Sequence, residues 1–101
     1  MYASYNEVTI NGESVSLIKD LTHTQFLVLS VLNMHFNNFV GAQYISRQID
    51  LRHDHLYDWN ARIHIVKIRK ALAKSDYQVV TGRSSGYKLT KKHMFKDEDL
   101  Q

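Results

Sequence analysis

The chain contains no cysteine and no proline, and only four of its 101 residues are glycine. Without cysteine the fold holds no disulfide, and we expect a cytoplasmic protein, because disulfides are rare in the reducing cytosol. Without proline no stiff linker is expected, and the length predicts one domain. No apolar run approaches the roughly 18 residues of a membrane span, and residues 1–10 lack the pattern of a secretion signal. A small globular domain is therefore the expected class.

Charge is modest but positive. Thirteen Lys and Arg residues face ten Asp and Glu residues, which gives a net charge of +3 and a pI near 9.2. This balance permits a polyanionic partner without requiring one. A chain of this size buries roughly 60–70% of its unfolded surface, which is enough for one modest core but not for a large enzyme cleft.

The N-terminal segment predicts a β-ribbon over residues 5–18. Val8 and Ile10 alternate with polar neighbours, and the alternation resumes after Asn11-Gly12. An Asn-Gly pair between two alternating runs is a strong short-range signal for a hairpin.

Residues 22–75 are predicted to form three helices. The segment "THTQFLVLSVLNMHF" has apolar residues at helical spacing, and Thr22 with Gln25 fits a capping box. We expect this helix to end near Asn37-Asn38. The segment "AQYISRQIDL" predicts a shorter second helix, with Ala42, Ile45 and Ile49 on one side.

The third predicted helix, "WNARIHIVKIRKALAK", carries most of the functional signal. We expect Asp58 to cap its N-terminus. A narrow apolar stripe predicts its core side: Ala61, Ile65, Ile68 and Leu72. At about 100° per residue, the opposite side carries Trp59, Ile63, Val66, Lys67, Lys70 and Lys74. Arg62 and Arg69 flank the stripe on one side and His64 on the other, so the exposed side is basic and partly apolar.

A terminal hairpin is predicted over residues 77–90, with the loop "GRSSG" between its strands. Gly82 and Gly86 are expected to supply the positive φ angles of a tight loop. An arginine exposed between two loop glycines, Arg83, indicates binding rather than a structural role. Residues 91–101 mix charges without a period, and we expect a flexible tail.

A ribbon, three helices and a terminal hairpin form the layout of an α+β winged helix-turn-helix domain. Three segments resemble the OmpR/PhoB-type winged-helix effector domain of bacterial response regulators. "LTHTQFLVL" resembles its first helix, and "ARIHIVKIRKAL" resembles its recognition helix at His64, Ile65, Arg69, Lys70 and Leu72. "VVTGRSSGYKL" resembles its wing at Thr81, Arg83, Gly86 and Tyr87. The resemblance spans about residues 7–90, and we expect a stand-alone domain without a receiver domain.

The resemblance implies a sequence-specific, double-stranded DNA-binding transcriptional regulator of bacterial or phage type, without enzymatic activity, cofactor or metal. The third helix is then expected in the major groove, and the wing on phosphates or in the minor groove. The residues that the resemblance implies to contact DNA are Trp59, Arg62, Ile63, His64, Val66, Lys67, Arg69, Thr81, Arg83 and Tyr87. Lys70, on the same basic face of the third helix, is added as a phosphate contact. Arginine and lysine neutralise phosphates, and arginine also suits bidentate contact with guanine. Because one module binds DNA weakly, self-association or a partner protein is also expected.

Other interpretations of the same residues stay open. Trp59, Ile63 and Val66 on one exposed face also fit a protein-interaction module, an inhibitor or adaptor. "GRSSG" matches the G-x-S-x-G hydrolase motif, but that motif needs a strand, a turn and a helix before a large sheet. "RHDHLYD" gathers His53, Asp54, His55 and Asp58, yet without cysteine or an H-x-x-x-H pair it is better interpreted as a polar loop than as a metal site.

Overall fold

A computed structural model of the protein describes residues 5–50, 61–82 and 84–92. Over these residues the chain forms two strands, three helices and two more strands. In order they are β1 (Tyr5–Ile10), β2 (Glu13–Leu21), α1 (His23–Met34), α2 (Ala42–Asp50), α3 (Ala61–Ala71), β3 (Tyr77–Gly82) and β4 (Gly86–Lys91). The predicted α+β class is confirmed, and the described strands pair as two separate antiparallel hairpins.

The N-terminal hairpin turns at the predicted Asn-Gly pair. Asn11 has a φ of 53° and Gly12 a φ of 83°, and the two residues join β1 directly to β2. Positive φ at both central residues matches the right-handed twist of the flanking strands. β2 continues to Leu21 rather than stopping at residue 18. Beyond the Glu7–Ser16 pair the register shifts, and Tyr5 at the start of β1 pairs with Leu21.

Helix α1 begins as predicted and ends earlier than predicted. The Gln25 N–H donates to Thr22 Oγ1 at 3.2 Å, and the Thr22 N–H donates to Gln25 Oε1 at 3.0 Å, which confirms the capping box. The predicted end near Asn37-Asn38 is wrong, since the helix stops at Met34 and Asn37 takes a φ of 71°. Asn37 instead bonds to β4: its N–H donates to the Leu89 carbonyl at 2.9 Å.

The core lies where the three helices meet the two hairpins. α2 contributes Ile45 and Ile49, and the predicted stripe of α3 contributes Ile65 and Ile68, each at most 1% exposed. Burying one such side chain stabilises the fold by about 1.5–3 kcal/mol. No helix in the described ranges has the length and apolar character needed to cross a membrane.

The C-terminal hairpin, β3–β4, is held against the connection between α1 and α2. The Val40 N–H donates to the Tyr87 carbonyl at 2.7 Å, and the Tyr87 N–H donates back to the Val40 carbonyl at 2.9 Å. Val40 therefore forms a one-residue antiparallel bridge to β4. The predicted start of the tail at residue 91 is wrong, because β4 runs through Lys91 and the Lys92 N–H donates to the Asp76 carbonyl oxygen. The rest of the predicted tail, residues 93–101, lies outside the described residues.

Tyr77 joins this hairpin to the N-terminal one. Its hydroxyl donates to Glu13 of β2, and its ring lies edge-on to Phe36 with centroids 5.9 Å apart. Burial raises the pKa of the Tyr77 phenol to about 12, and the hydrogen bond and negative charge of Glu13 act in the same direction. The two hairpins are thus joined by a partly buried polar contact beside the core.

Candidate nucleic-acid interface

Helix α3 presents a continuous exposed face opposite its core stripe. Ile63 is 54% exposed and Val66 38% exposed, and Lys67 and Lys70 are also exposed. At about 100° per residue, residues three and four apart in a helix lie side by side. Two aliphatic and two cationic side chains predicted as contact residues therefore lie together on one surface.

All the formally charged side chains of α3 are positive. Its segment, "ARIHIVKIRKA", contains four Arg or Lys residues and no Asp or Glu. Arg69 and Lys70 lie in the last turn, where the helix dipole favours positive charge, and Arg62 lies exposed in the first turn. An anionic surface placed against α3 therefore meets cations along its full described length.

Arg69 connects α3 to the C-terminal hairpin. Its Nε donates to the Val79 carbonyl oxygen at 2.9 Å, and a terminal guanidinium nitrogen donates to Thr81 Oγ1. Both partners belong to β3, so one side chain links the helix to the hairpin by two hydrogen bonds. Sequence reasoning predicted Arg69 and Thr81 as separate DNA contacts, and the structure brings them into contact with one another.

Both side chains of that pair keep donor capacity toward solvent. Arg69 and Thr81 are exposed, and a guanidinium carries five N–H donors, more than the two bonds to β3 require. Thr81 accepts through its oxygen and retains its own O–H as a donor. The pair can therefore position the hairpin and donate hydrogen bonds to a bound anion at the same time.

His64 lies on the flank of α3 opposite Arg69. The side chain is half-buried, and burial lowers the pKa of its imidazole below the ordinary value of 6.5. A neutral imidazole at neutral pH adds no charge to the exposed face. His64 therefore differs from the cationic residues with which it was predicted.

The two positions on either side of the hairpin loop require glycine for different physical reasons. Gly86 has a φ of 100°, and a Cβ there would overlap the Val40 carbonyl oxygen. The prediction of a positive φ is confirmed for Gly86 and wrong for Gly82. At Gly82 a Cβ would lie 2.8 Å from Cε1 of Phe39, so the glycine is needed for the close approach of that ring.

Phe39 and Lys88 form a contact that sequence reasoning missed. The Phe39 ring is 43% exposed beside Gly82, and the Lys88 ammonium lies 4.7 Å from its centroid. Such cation–π contacts at exposed sites contribute about 0.5–1 kcal/mol. No periodic signal marks Phe39, because it precedes the single bridging residue Val40 in the connection between two helices.

Tyr87 behaves as a packing residue as well as a candidate contact. Its ring is half-buried and packs against the main core, while its backbone pairs with Val40. Trp59 and Arg83, two further predicted contacts, lie outside the described residues. The same holds for Asp58 and for the histidines and Asp54 of the "RHDHLYD" segment. Among the residues that the structure describes, no group of three His, Cys, Asp or Glu side chains could hold a metal ion.

The described residues therefore bring together a cationic and aliphatic face of α3, the Arg69–Thr81 pair at its edge, and a hairpin fixed at its base. A scan of the chain against protein-family models and a search of curated proteins each gave no match.

Proposed function

We propose that the chain is a cytoplasmic, sequence-specific, double-stranded DNA-binding transcriptional regulator with a winged helix-turn-helix fold. In this proposal α3 enters the major groove, and hairpin β3–β4 is the wing that contacts phosphates or the adjacent minor groove. The protein acts without catalysis or a cofactor. The observation that carries the proposal is the exposed face of α3, on which Lys67 and Lys70 surround aliphatic side chains without a neighbouring carboxylate on the helix.

Charge supports this function over a catalytic one. Lys and Arg side chains that neutralise phosphates release condensed counterions, which drives association with duplex DNA. A helix of this width fits the major groove, where each base pair presents a distinct pattern of donors, acceptors and methyl groups. The four cationic residues of α3 are distributed along a helix that can enter the major groove.

The fixed angle between α3 and the hairpin supports the proposed wing. Arg69 bonds to two residues of β3, and Val40 pairs with Tyr87 of β4 on the other strand of the hairpin. A preorganised hairpin avoids the ordering cost that a mobile loop would incur on binding. Helix and hairpin can therefore contact a duplex as one rigid unit.

Charge reversal tests the proposal. Lys67→Glu and Lys70→Glu should together abolish binding to a random-sequence duplex pool, measured by fluorescence anisotropy at low salt. Lys19→Glu, an exposed lysine of β2, makes a matched control because it changes charge on the N-terminal hairpin instead. Unchanged affinity of the double variant, or equal loss per charge in the control, would contradict a specific role for α3.

Loop and helix substitutions separate phosphate contact from sequence recognition. Arg83→Ala should weaken binding to all duplexes alike, because a phosphate contact carries no sequence information. Arg62→Ala and Lys67→Ala should also alter the sequences selected from the pool. Unchanged affinity and selection in all three variants would contradict the proposal.

A second function is favoured by the aliphatic part of the face. Ile63 and Val66 are large aliphatic side chains that the fold leaves exposed. Exposed apolar side chains also fit a winged-helix protein-interaction module, an inhibitor or adaptor with Trp59 as its anchor. In that case Trp59→Ala disrupts a protein complex while charge reversal at Lys67 has little effect. If the chain binds DNA, charge reversal at Lys67 should instead lower the affinity for DNA more than Trp59→Ala does.

Paired binding belongs to the same proposal. A single small module buries little surface on DNA, so specific affinity is expected to require a second copy or a partner protein. Sedimentation of the protein with a duplex of selected sequence should show two copies per duplex. A single copy that binds with nanomolar affinity would remove the need for pairing.

A further inference from the structure

We propose that Ile63 and Val66 read the C5-methyl groups of thymines on neighbouring base pairs in the major groove. The inference rests on the proposed function and names the class of site that α3 recognises, namely duplexes with adjacent or nearby A·T pairs. It starts from the two aliphatic side chains of α3 that are 54% and 38% exposed within an otherwise cationic face.

Spacing allows one methyl group for each side chain. Residues three apart in a helix lie on the same face and are separated by about 4.5 Å along its axis. Successive bases along one DNA strand are separated by about 3.4 Å. Ile63 and Val66 can therefore each reach a base edge of the same strand within one or two base-pair steps.

Thymine is the base whose edge suits these side chains. In the major groove guanine, adenine and cytosine present hydrogen-bonding groups, whereas thymine adds an apolar methyl group to its O4 acceptor. An aliphatic side chain pressed against a polar base edge strips water from it without offering a hydrogen bond. Contact with a methyl group buries apolar surface on both sides.

Charge complementarity selects DNA as the occupant of this face. Lys67 and Lys70 lie beside the two aliphatic residues, and Arg62 lies one position before Ile63. The phosphates of DNA can pair with these cations while Ile63 and Val66 contact the bases in the groove. The α3 segment contains no Asp or Glu that would repel the phosphates. A protein partner would need carboxylates arranged around an apolar pocket, a more demanding requirement.

The test removes only the methyl groups. Duplexes retained by the protein from a random-sequence pool are copied twice, once with thymine and once with uracil, which keeps base pairing and phosphates but lacks the C5-methyl group. Wild-type protein should bind the uracil copy about fourfold more weakly for each methyl contacted, or about 15-fold for two. Ile63→Ala with Val66→Ala should lower affinity for the thymine copy and leave affinity for the uracil copy nearly unchanged.

Lys67→Ala is the matched control, because it should weaken binding to both copies equally. Alanine favours the helix and both aliphatic residues are exposed, so the double variant is expected to fold. Equal, salt-dependent binding of wild-type protein to the two copies would overturn thymine recognition and leave the proposed function standing. A thymine preference that persists in the double variant would overturn the assignment to these residues. Retention of no duplex at all would overturn both proposals.

Discussion

Arg69 and Val79 are joined by a hydrogen bond of 2.9 Å from the guanidinium Nε to the backbone carbonyl oxygen. Val79 is 4% exposed and belongs to the core, so the bond anchors an exposed cation of α3 to a buried strand. The same guanidinium donates to Thr81, two residues further along β3. One side chain of α3 therefore makes two hydrogen bonds to the hairpin, in addition to the core packing between them.

Replacing Arg69 should affect stability as well as binding. Arg69→Ala removes both bonds to β3, and we expect the free energy of unfolding in urea to fall by about 1–2 kcal/mol, since bonds from charged donors contribute more than neutral ones. Lys70→Ala removes the same charge from the next position and should change the free energy of unfolding by less than about 0.5 kcal/mol. Equal effects of the two substitutions would contradict the anchoring role of Arg69.

The glycines of the hairpin should differ in whether a second substitution can rescue them. Gly82→Ala forces its Cβ against the Phe39 ring, so Phe39→Ala should recover most of the lost thermal stability. Gly86→Ala is strained by its positive φ and by the Val40 backbone, at a cost of about 1–3 kcal/mol. Phe39→Ala should give no recovery in the Gly86→Ala background, and recovery there would show that the ring is not the specific neighbour of Gly82.

Stability should fall at alkaline pH through Tyr77. Its pKa in the folded state, about 12, lies above the ordinary value of 10, so the folded chain holds this proton more tightly than the unfolded chain. The resulting stabilisation is complete below pH 10 and is lost as the pH rises from 10 to 12. Tyr77→Phe, measured by urea denaturation across that range, should lose less stability with pH than the wild type does.

Glu13→Gln provides the control for this titration. It removes the negative charge next to the phenol but leaves an oxygen acceptor, so the alkaline loss of stability should become smaller without vanishing, because burial alone also raises the pKa of Tyr77. An identical pH dependence for the wild type and Tyr77→Phe would contradict the role assigned to this phenol.

Local signals in the sequence predicted the elements whose causes are local. The Asn11-Gly12 turn needs only two residues that tolerate positive φ, and the capping box of α1 needs only Thr22 and Gln25. The buried stripe of α3 follows from its period, and Ile65 and Ile68 are buried as predicted.

Features that depend on residues far apart in the chain could not be predicted in this way. After α1 ends, Asn37 bonds to Leu89 of β4, and the need for Gly82 arises from Phe39, which lies far earlier in the chain. The Arg69 bonds to β3 likewise require the hairpin to fold back on the helix. The chemical character of the exposed face was predictable from side-chain types, whereas the division between anchoring and exposed cations was not.

The central claim is tested most directly by the affinity of the protein for a random-sequence duplex pool over a series of salt concentrations. Each neutralised phosphate contributes about −0.9 to the slope of log affinity against log salt. We expect measurable binding at low salt with a slope of about −3 to −6, which corresponds to roughly that many phosphate contacts from α3 and the hairpin. Undetectable binding at low salt, or an affinity that does not change with salt, would contradict it and would favour a protein as the partner of this face.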